Sequence, residues 1–156
     1  MLTATSEYAL RALAQLAQLP RGKVLLGRDL AEQAGVPPRY LSKIMLALRN
    51  AGLVVATRGT GGGYMLLRPA DAIRLIDVVQ VFEGPSAWPE CLLRGKQECT
   101  DKNPCAAHAS WGKVRRTYLD FLERTTLWEV VHDKAHQSQL TRPARGTAPK
   151  QAAAMH

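Results

Sequence analysis

At 156 residues the chain has the length of one well-packed domain with an appended arm, and its 46% hydrophobic content is ordinary for a globular protein. No apolar run is long enough to span a bilayer, and Met1 to Leu19 carries Glu7 and Arg11 among its apolar residues with no basic segment ahead, which reads against a signal peptide. The odd count of three cysteines argues against a disulfide framework and for a reducing, cytoplasmic setting, while the net charge of +8 attracts polyanions.

The first predicted element is a helix over Thr3–Leu19, with Tyr8, Leu10, Leu13, Leu16 and Ala17 on one apolar side, ended by Pro20-Arg21-Gly22. A short helix follows over Arg28–Ala34, stopped by Gly35 as a left-handed C-terminal residue. The third runs from Pro38 to Ala51 and is closed by Gly52. Its second proline is tolerated in the first turn, and Leu41, Ile44, Met45 and Leu48 form its inward stripe. A helix, a three-residue turn and a helix have the spacing of a helix-turn-helix, in which the second helix enters the major groove. An ordinary packed helical pair has the same spacing.

Leu53–Thr57 then reads as a strand, followed by Arg58-Gly59-Thr60-Gly61-Gly62-Gly63 and a second strand-like run, Tyr64–Leu67. This is a β-hairpin with a glycine-rich tip able to lie close to a phosphate backbone, and Arg58 is placed to reach into a minor groove. A hairpin directly after a recognition helix is the wing of a winged helix. A nucleotide-phosphate loop is a poorer reading, since no Lys-Ser/Thr follows and Tyr64 onward looks like strand. Residues 21–68 hold Arg21, Lys23, Arg28, Arg39, Lys43, Arg49, Arg58 and Arg68 against only Asp29 and Glu32, so the positive charge falls where DNA would lie. The expected DNA-contacting set is Arg28, Pro38, Arg39, Tyr40, Ser42, Lys43, Arg58, Gly59 and Thr60.

Ile73–Phe82 predicts a short strand and then a helix, with Asp77 in its first turn and Gly84 beyond its end. A long amphipathic helix over Ala106–Arg124 follows, its stripe made of Trp111, Val114, Tyr118 and Leu122 with Phe121 beside it. That stripe can pair with a second copy of the chain, aligning two wings on two half-sites of a palindromic operator, or pack on the first helix of its own chain. Thr126-Leu127-Trp128-Glu129 is a capping box for a last short helix. From about Gln137 the periodicity is lost, and a disordered basic tail is expected. The fold class is therefore mainly α with a small β-hairpin wing: a winged helix-turn-helix plus a long C-terminal dimerisation helix. The expected divisions are 1–84 for DNA binding, 85–105 for a cysteine-rich loop, 106–136 for the dimerisation and terminal helices, and 137–156 for the tail.

All the thiol chemistry lies in one segment: Cys91, seven residues, Cys99, five residues, Cys105, two residues, His108. Structural zinc sites usually bring two Cys-x-x-Cys pairs, which are absent, whereas an iron–sulfur cluster tolerates wider gaps. Spacing alone favours a cluster and leaves zinc, metal-free thiol switching and an inert role open. A thiolate enzyme with His108 as base is disfavoured, because no carboxylate orienter is evident near that histidine.

The chain resembles the winged-helix regulators of the IscR/NsrR kind, the Rrf2 family, over roughly residues 1–135. The likeness is carried by Ser6-Glu7-Tyr8-Ala9-Leu10-Arg11, Leu30-Ala31, Tyr40-Leu41, Gly52-Leu53-Val54, Arg58-Gly59-x-Gly61-Gly62-Gly63-Tyr64 and the three cysteines. The resemblance implies a homodimeric transcription regulator of double-stranded DNA whose iron–sulfur cluster senses cluster supply, iron, redox state or nitric oxide; repression is the expected mode of action. It implies Cys91, Cys99 and Cys105 as ligands. His108 is the fourth ligand by likeness to the cluster-assembly regulator, and Glu7 of the partner subunit by likeness to the nitric-oxide-sensing type. A [2Fe-2S] cluster is preferred over [4Fe-4S], since imidazole can replace a thiolate on a two-iron centre. The first gap of seven residues is longer than the family's usual one. The alternative is a metal-free or zinc-binding thiol regulator.

Overall fold

The computed structural model describes residues 2–84, Cys91 and residues 99–132. The expected tail and most of the segment between Gly84 and Cys99 lie outside the described residues. The elements are α1 (Ala4–Ala17), α2 (Gly27–Ala34), α3 (Pro38–Asn50), β1 (Val54–Thr57), β2 (Gly63–Leu66), a 3₁₀ turn (Ala70–Ala72), α4 (Leu75–Glu83), α5 (His108–Arg124) and α6 (Leu127–His132). No helix among the described residues is long and apolar enough to cross a membrane.

Thr3 caps α1 by accepting the Ser6 amide on its hydroxyl. Along α1, Ala9, Ala12, Leu13 and Leu16 are buried, the alanines letting α2 and α3 approach closely. These neighbours supply Leu30, Ala31 and Ala34 from α2 and Leu41, Ile44, Met45 and Leu48 from α3. Each fully buried leucine here contributes roughly 1.5 to 3 kcal/mol. Gly35 ends α2 at φ +63°, and Pro38 opens α3 in its first turn, as the sequence predicts.

β1 and β2 pair antiparallel in the register Val54 with Leu66 through Thr57 with Gly63. A third, single-bridge strand joins them: Leu25 and Tyr64 exchange both backbone hydrogen bonds, at 3.0 and 2.9 Å. This contact also explains Gly63. A Cβ there would meet the Leu25 carbonyl oxygen at 2.4 Å, so the glycine is required by close approach, while Gly59 and Gly61 are required by φ of +100° and +85°.

The expected strand before α4 is replaced by the 3₁₀ turn and one bridge, Arg74 with Thr126. Only one residue pair can form because Thr126 immediately starts α6; its amide and hydroxyl donate to Glu129 Oε2, closing the predicted capping box. Within its own chain α5 packs on α4, with Leu10 of α1 at the edge of the contact. Leu122 meets Leu75, Ile76 and Val79, with Leu2, Leu10, Tyr118 and Leu119 at the margin. Leu122 is the buried residue of α5; Val114 and Phe121 of the predicted stripe are 55% and 50% exposed.

Candidate functional site

Two groups of side chains stand out, one on α3 and the hairpin, the other at the start of α5. On α3 the buried stripe turns the opposite side outward, so Arg39, Tyr40, Ser42 and Lys43 are all exposed, as is Pro38. Ser42 returns its hydroxyl proton to the Pro38 carbonyl at 3.2 Å, a bond that an incoming acceptor can replace. Arg58, Gly59 and Thr60 lie exposed at the hairpin tip, and Arg28 is exposed at the start of α2 beside Asp29, 3.4 Å away. Every predicted contact residue is therefore free of the core. Tyr8, not singled out from the sequence for this group, sits with its ring 6.3 Å from that of Tyr40 and with the Arg11 guanidinium 5.8 Å over it. That cation–aromatic stack braces the exposed tyrosine from α1.

The cysteines converge. The sulfurs of Cys91, Cys99 and Cys105 all lie within 4.8 Å of one another, and all three residues are half-buried and reduced. Cys91 and Cys105 sulfurs are 3.5 Å apart, and the Cys105 amide donates to Cys99 Sγ at 3.4 Å. That amide lowers the Cys99 pKa, but partial burial and the neighbouring Cys105 and Cys91 thiols outweigh it and raise the thiol above its ordinary value. His108, first residue of α5, brings Nδ1 to 3.1 Å from Cys99 Sγ, while the group whose donor atoms all lie within 4.8 Å of one another is the three cysteines. Glu7 lies exposed on the first turn of α1 and is not one of the three residues of the thiol group in its own chain.

One residue near the thiols was missed. Asp101 Oδ1 lies 2.9 Å from His108 Nε2, supplying the carboxylate orienter that the sequence does not reveal. Asp101 lies seven positions before His108 across a turn, a spacing with no helical or strand periodicity to signal it. Three soft sulfur donors, with an imidazole nitrogen 3.1 Å from one of them, form a donor set that suits an iron–sulfur cluster or zinc and suits hard cations poorly. The thiols would supply the charge such a group requires, and bound there it would supply one-electron redox chemistry or a reactive, removable cap on the cysteines.

A family model described as "Rrf2: Iron-dependent Transcriptional regulator" matches residues 2–133. The chain is 34% identical over 134 residues to IscR of Erwinia tasmaniensis, covering 85% of this chain and 79% of that one. It is 31% identical over 153 residues to IscR of Klebsiella pneumoniae, covering 92% of each. Among solved structures it is similar to CymR, the global cysteine regulator of B. subtilis, with TM-score 0.69 and 27% identity over 84% of this chain and 95% of that one. It is similar also to T. potens IscR, with TM-score 0.67 and 27% identity over 89% and 90%. Hairpin, exposed α3 surface and thiol group thus occur together in a chain that belongs to the Rrf2 family of winged-helix, DNA-binding transcriptional regulators, not enzymes.

Proposed function

We propose that this protein is a homodimeric regulator, acting as a repressor, that reads a palindromic operator and holds a [2Fe-2S] cluster whose state sets operator affinity. Cys91, Cys99, Cys105 and His108 are the ligands, with the partner subunit's Glu7 as the alternative to His108. The single observation that carries the reading is the gathering of three sulfurs within 4.8 Å at the root of α5, the helix with Val114 and Phe121 exposed. Two α5 helices pairing through those residues would set the separation of two α3 helices, and ligand loss at the root of α5 would alter it. On the DNA, Arg39, Tyr40, Ser42 and Lys43 approach base edges and phosphates, Pro38 fixes the helix start against the backbone, and Arg58, Gly59 and Thr60 enter the minor groove, with Arg28 on a phosphate.

The test is anaerobic purification followed by iron and sulfide assay, visible absorption, and sedimentation. The reading requires near-equal iron and sulfide, charge-transfer absorption and a dimer; a colourless, iron-free monomer overturns it. A metal-free thiol switch is favoured by a different observation, the 3.5 Å separation of Cys91 and Cys105 sulfurs, and by likeness to CymR. There, oxidation would join Cys91 and Cys105, and the iron-free protein would respond to peroxide.

A further inference from the structure

His108 uses both ring nitrogens, and the two face different chemistry: Nδ1 lies 3.1 Å from Cys99 Sγ, Nε2 2.9 Å from Asp101 Oδ1. A neutral imidazole carries one N–H and one lone pair, and a carboxylate oxygen only accepts. With a neutral ring beside an ionised Asp101, Nε2 carries the proton and the lone pair points from Nδ1 toward Cys99 Sγ.

Local sequence fixes both ends of this relay. On one side, Thr100 and Asn103 exchange backbone hydrogen bonds at 3.4 and 3.0 Å, and the Asn103 amide also donates to the Thr100 hydroxyl at 3.3 Å. That tight turn holds residue 101 at a set distance from Cys99. On the other side, the His108 amide donates to the Cys105 carbonyl at 3.0 Å, anchoring the ring at the beginning of α5. The imidazole is thus held between a thiol and a carboxylate by a turn and a helix start that share the ligand segment.

We propose that Asp101 is a positioning residue for the metal centre: it accepts Nε2–H of His108 and so makes Nδ1 the ligating atom. This rests on the cluster reading above and adds to it a residue and a tautomer. Carboxylate partners of metal-bound histidines orient the ring and raise its basicity, and their removal weakens metal binding by about 10- to 100-fold. The Asp101 side chain is 99% exposed, so the low end of that range is expected.

The experiment uses full-length protein carrying histidine labelled with ¹⁵N at δ1 alone or at ε2 alone, loaded anaerobically with ferric iron and sulfide and then reduced by one electron with dithionite. Pulsed electron paramagnetic resonance reads the nitrogen coupling. Strong coupling from the δ1 label alone, lost or broadened in Asp101→Ala together with roughly tenfold faster iron release, supports the proposal. Asp101→Asn, whose amide oxygen still accepts, retains the δ1 coupling. Strong coupling from the ε2 label, or an Asp101→Ala protein matching the wild type in both readouts, overturns it. No strong coupling from either label in protein that holds iron and sulfide overturns this inference and leaves the thiolate-bound cluster standing. Protein that takes up neither overturns both.

Discussion

Asp77 shows how one side chain can organise a helix start. Its Oδ2 accepts the Arg74 amide at 3.1 Å and its Oδ1 the Arg74 guanidinium at 2.8 Å, closing the N-terminus of α4. Burial pulls its pKa upward, but the hydrogen bonds from Arg74, that residue's charge and the charge of Arg68 outweigh burial and hold it below the usual carboxylate value. A folded pKa below the unfolded one means that the stabilisation is complete above the unfolded carboxylate range. It is lost as pH falls through the folded value. Asp77→Asn should therefore cost about 0.5 to 1 kcal/mol at neutral pH, and variant and wild type should converge in urea titrations below the carboxylate range. A constant gap at every pH would remove the ionised carboxylate from this account. At the hairpin tip, Arg58→Ala should weaken operator binding more than Arg124→Ala, which alters an exposed residue at the far end of α5, and should lower the salt slope by about one. Equal losses in anisotropy titrations at fixed salt would exclude the tip from the DNA.

The hairpin depends on backbone proximity as much as on pairing. Gly63→Ala would drive a Cβ to 2.4 Å from the Leu25 carbonyl oxygen, in backbone that cannot yield as a side chain can. A loss of roughly 1 to 3 kcal/mol in thermal or denaturant unfolding is expected, with weakened operator binding; unchanged stability would show that the Leu25 bridge is dispensable. The sequence made the glycine-rich tip visible but not this cause, because Leu25 lies in an apolar run whose pairing with Tyr64 is a long-range event. For the helices the opposite holds. Periodic stripes, Gly35 and the Pro38 start marked α1, α2 and α3 to within two residues, since those signals are local. The strand expected near Ile73 failed for the same reason that Leu25 was missed: its partner, Thr126, is more than fifty residues away and already committed to a helix. Asp101 was illegible on similar grounds, its role set by a turn and a ring orientation, not by spacing.

At the scale of the whole molecule, α4 is the keel between the DNA-reading half and the thiol-bearing half. It shares Val78 with the main core and presents Leu75, Ile76 and Val79 to Leu122 of α5. Under the proposed reading, a displacement of α5 would pass through these packed side chains toward α3, since close-packed interiors shift between discrete arrangements. Phe121→Asp, at an exposed position outside Leu122's contact with α4, should give a folded monomer by sedimentation with much-weakened operator affinity. A dimer unaffected by the substitution would move the subunit interface elsewhere.

The most direct test of the central claim is operator affinity measured by anisotropy, without oxygen, for cluster-loaded protein, metal-free protein and Cys99→Ala, on a duplex selected from a random library. The account predicts that loaded protein differs from the other two by about tenfold or more, a coupling of roughly 1.4 kcal/mol, and that metal-free protein and Cys99→Ala coincide. Equal affinity for all three would contradict it.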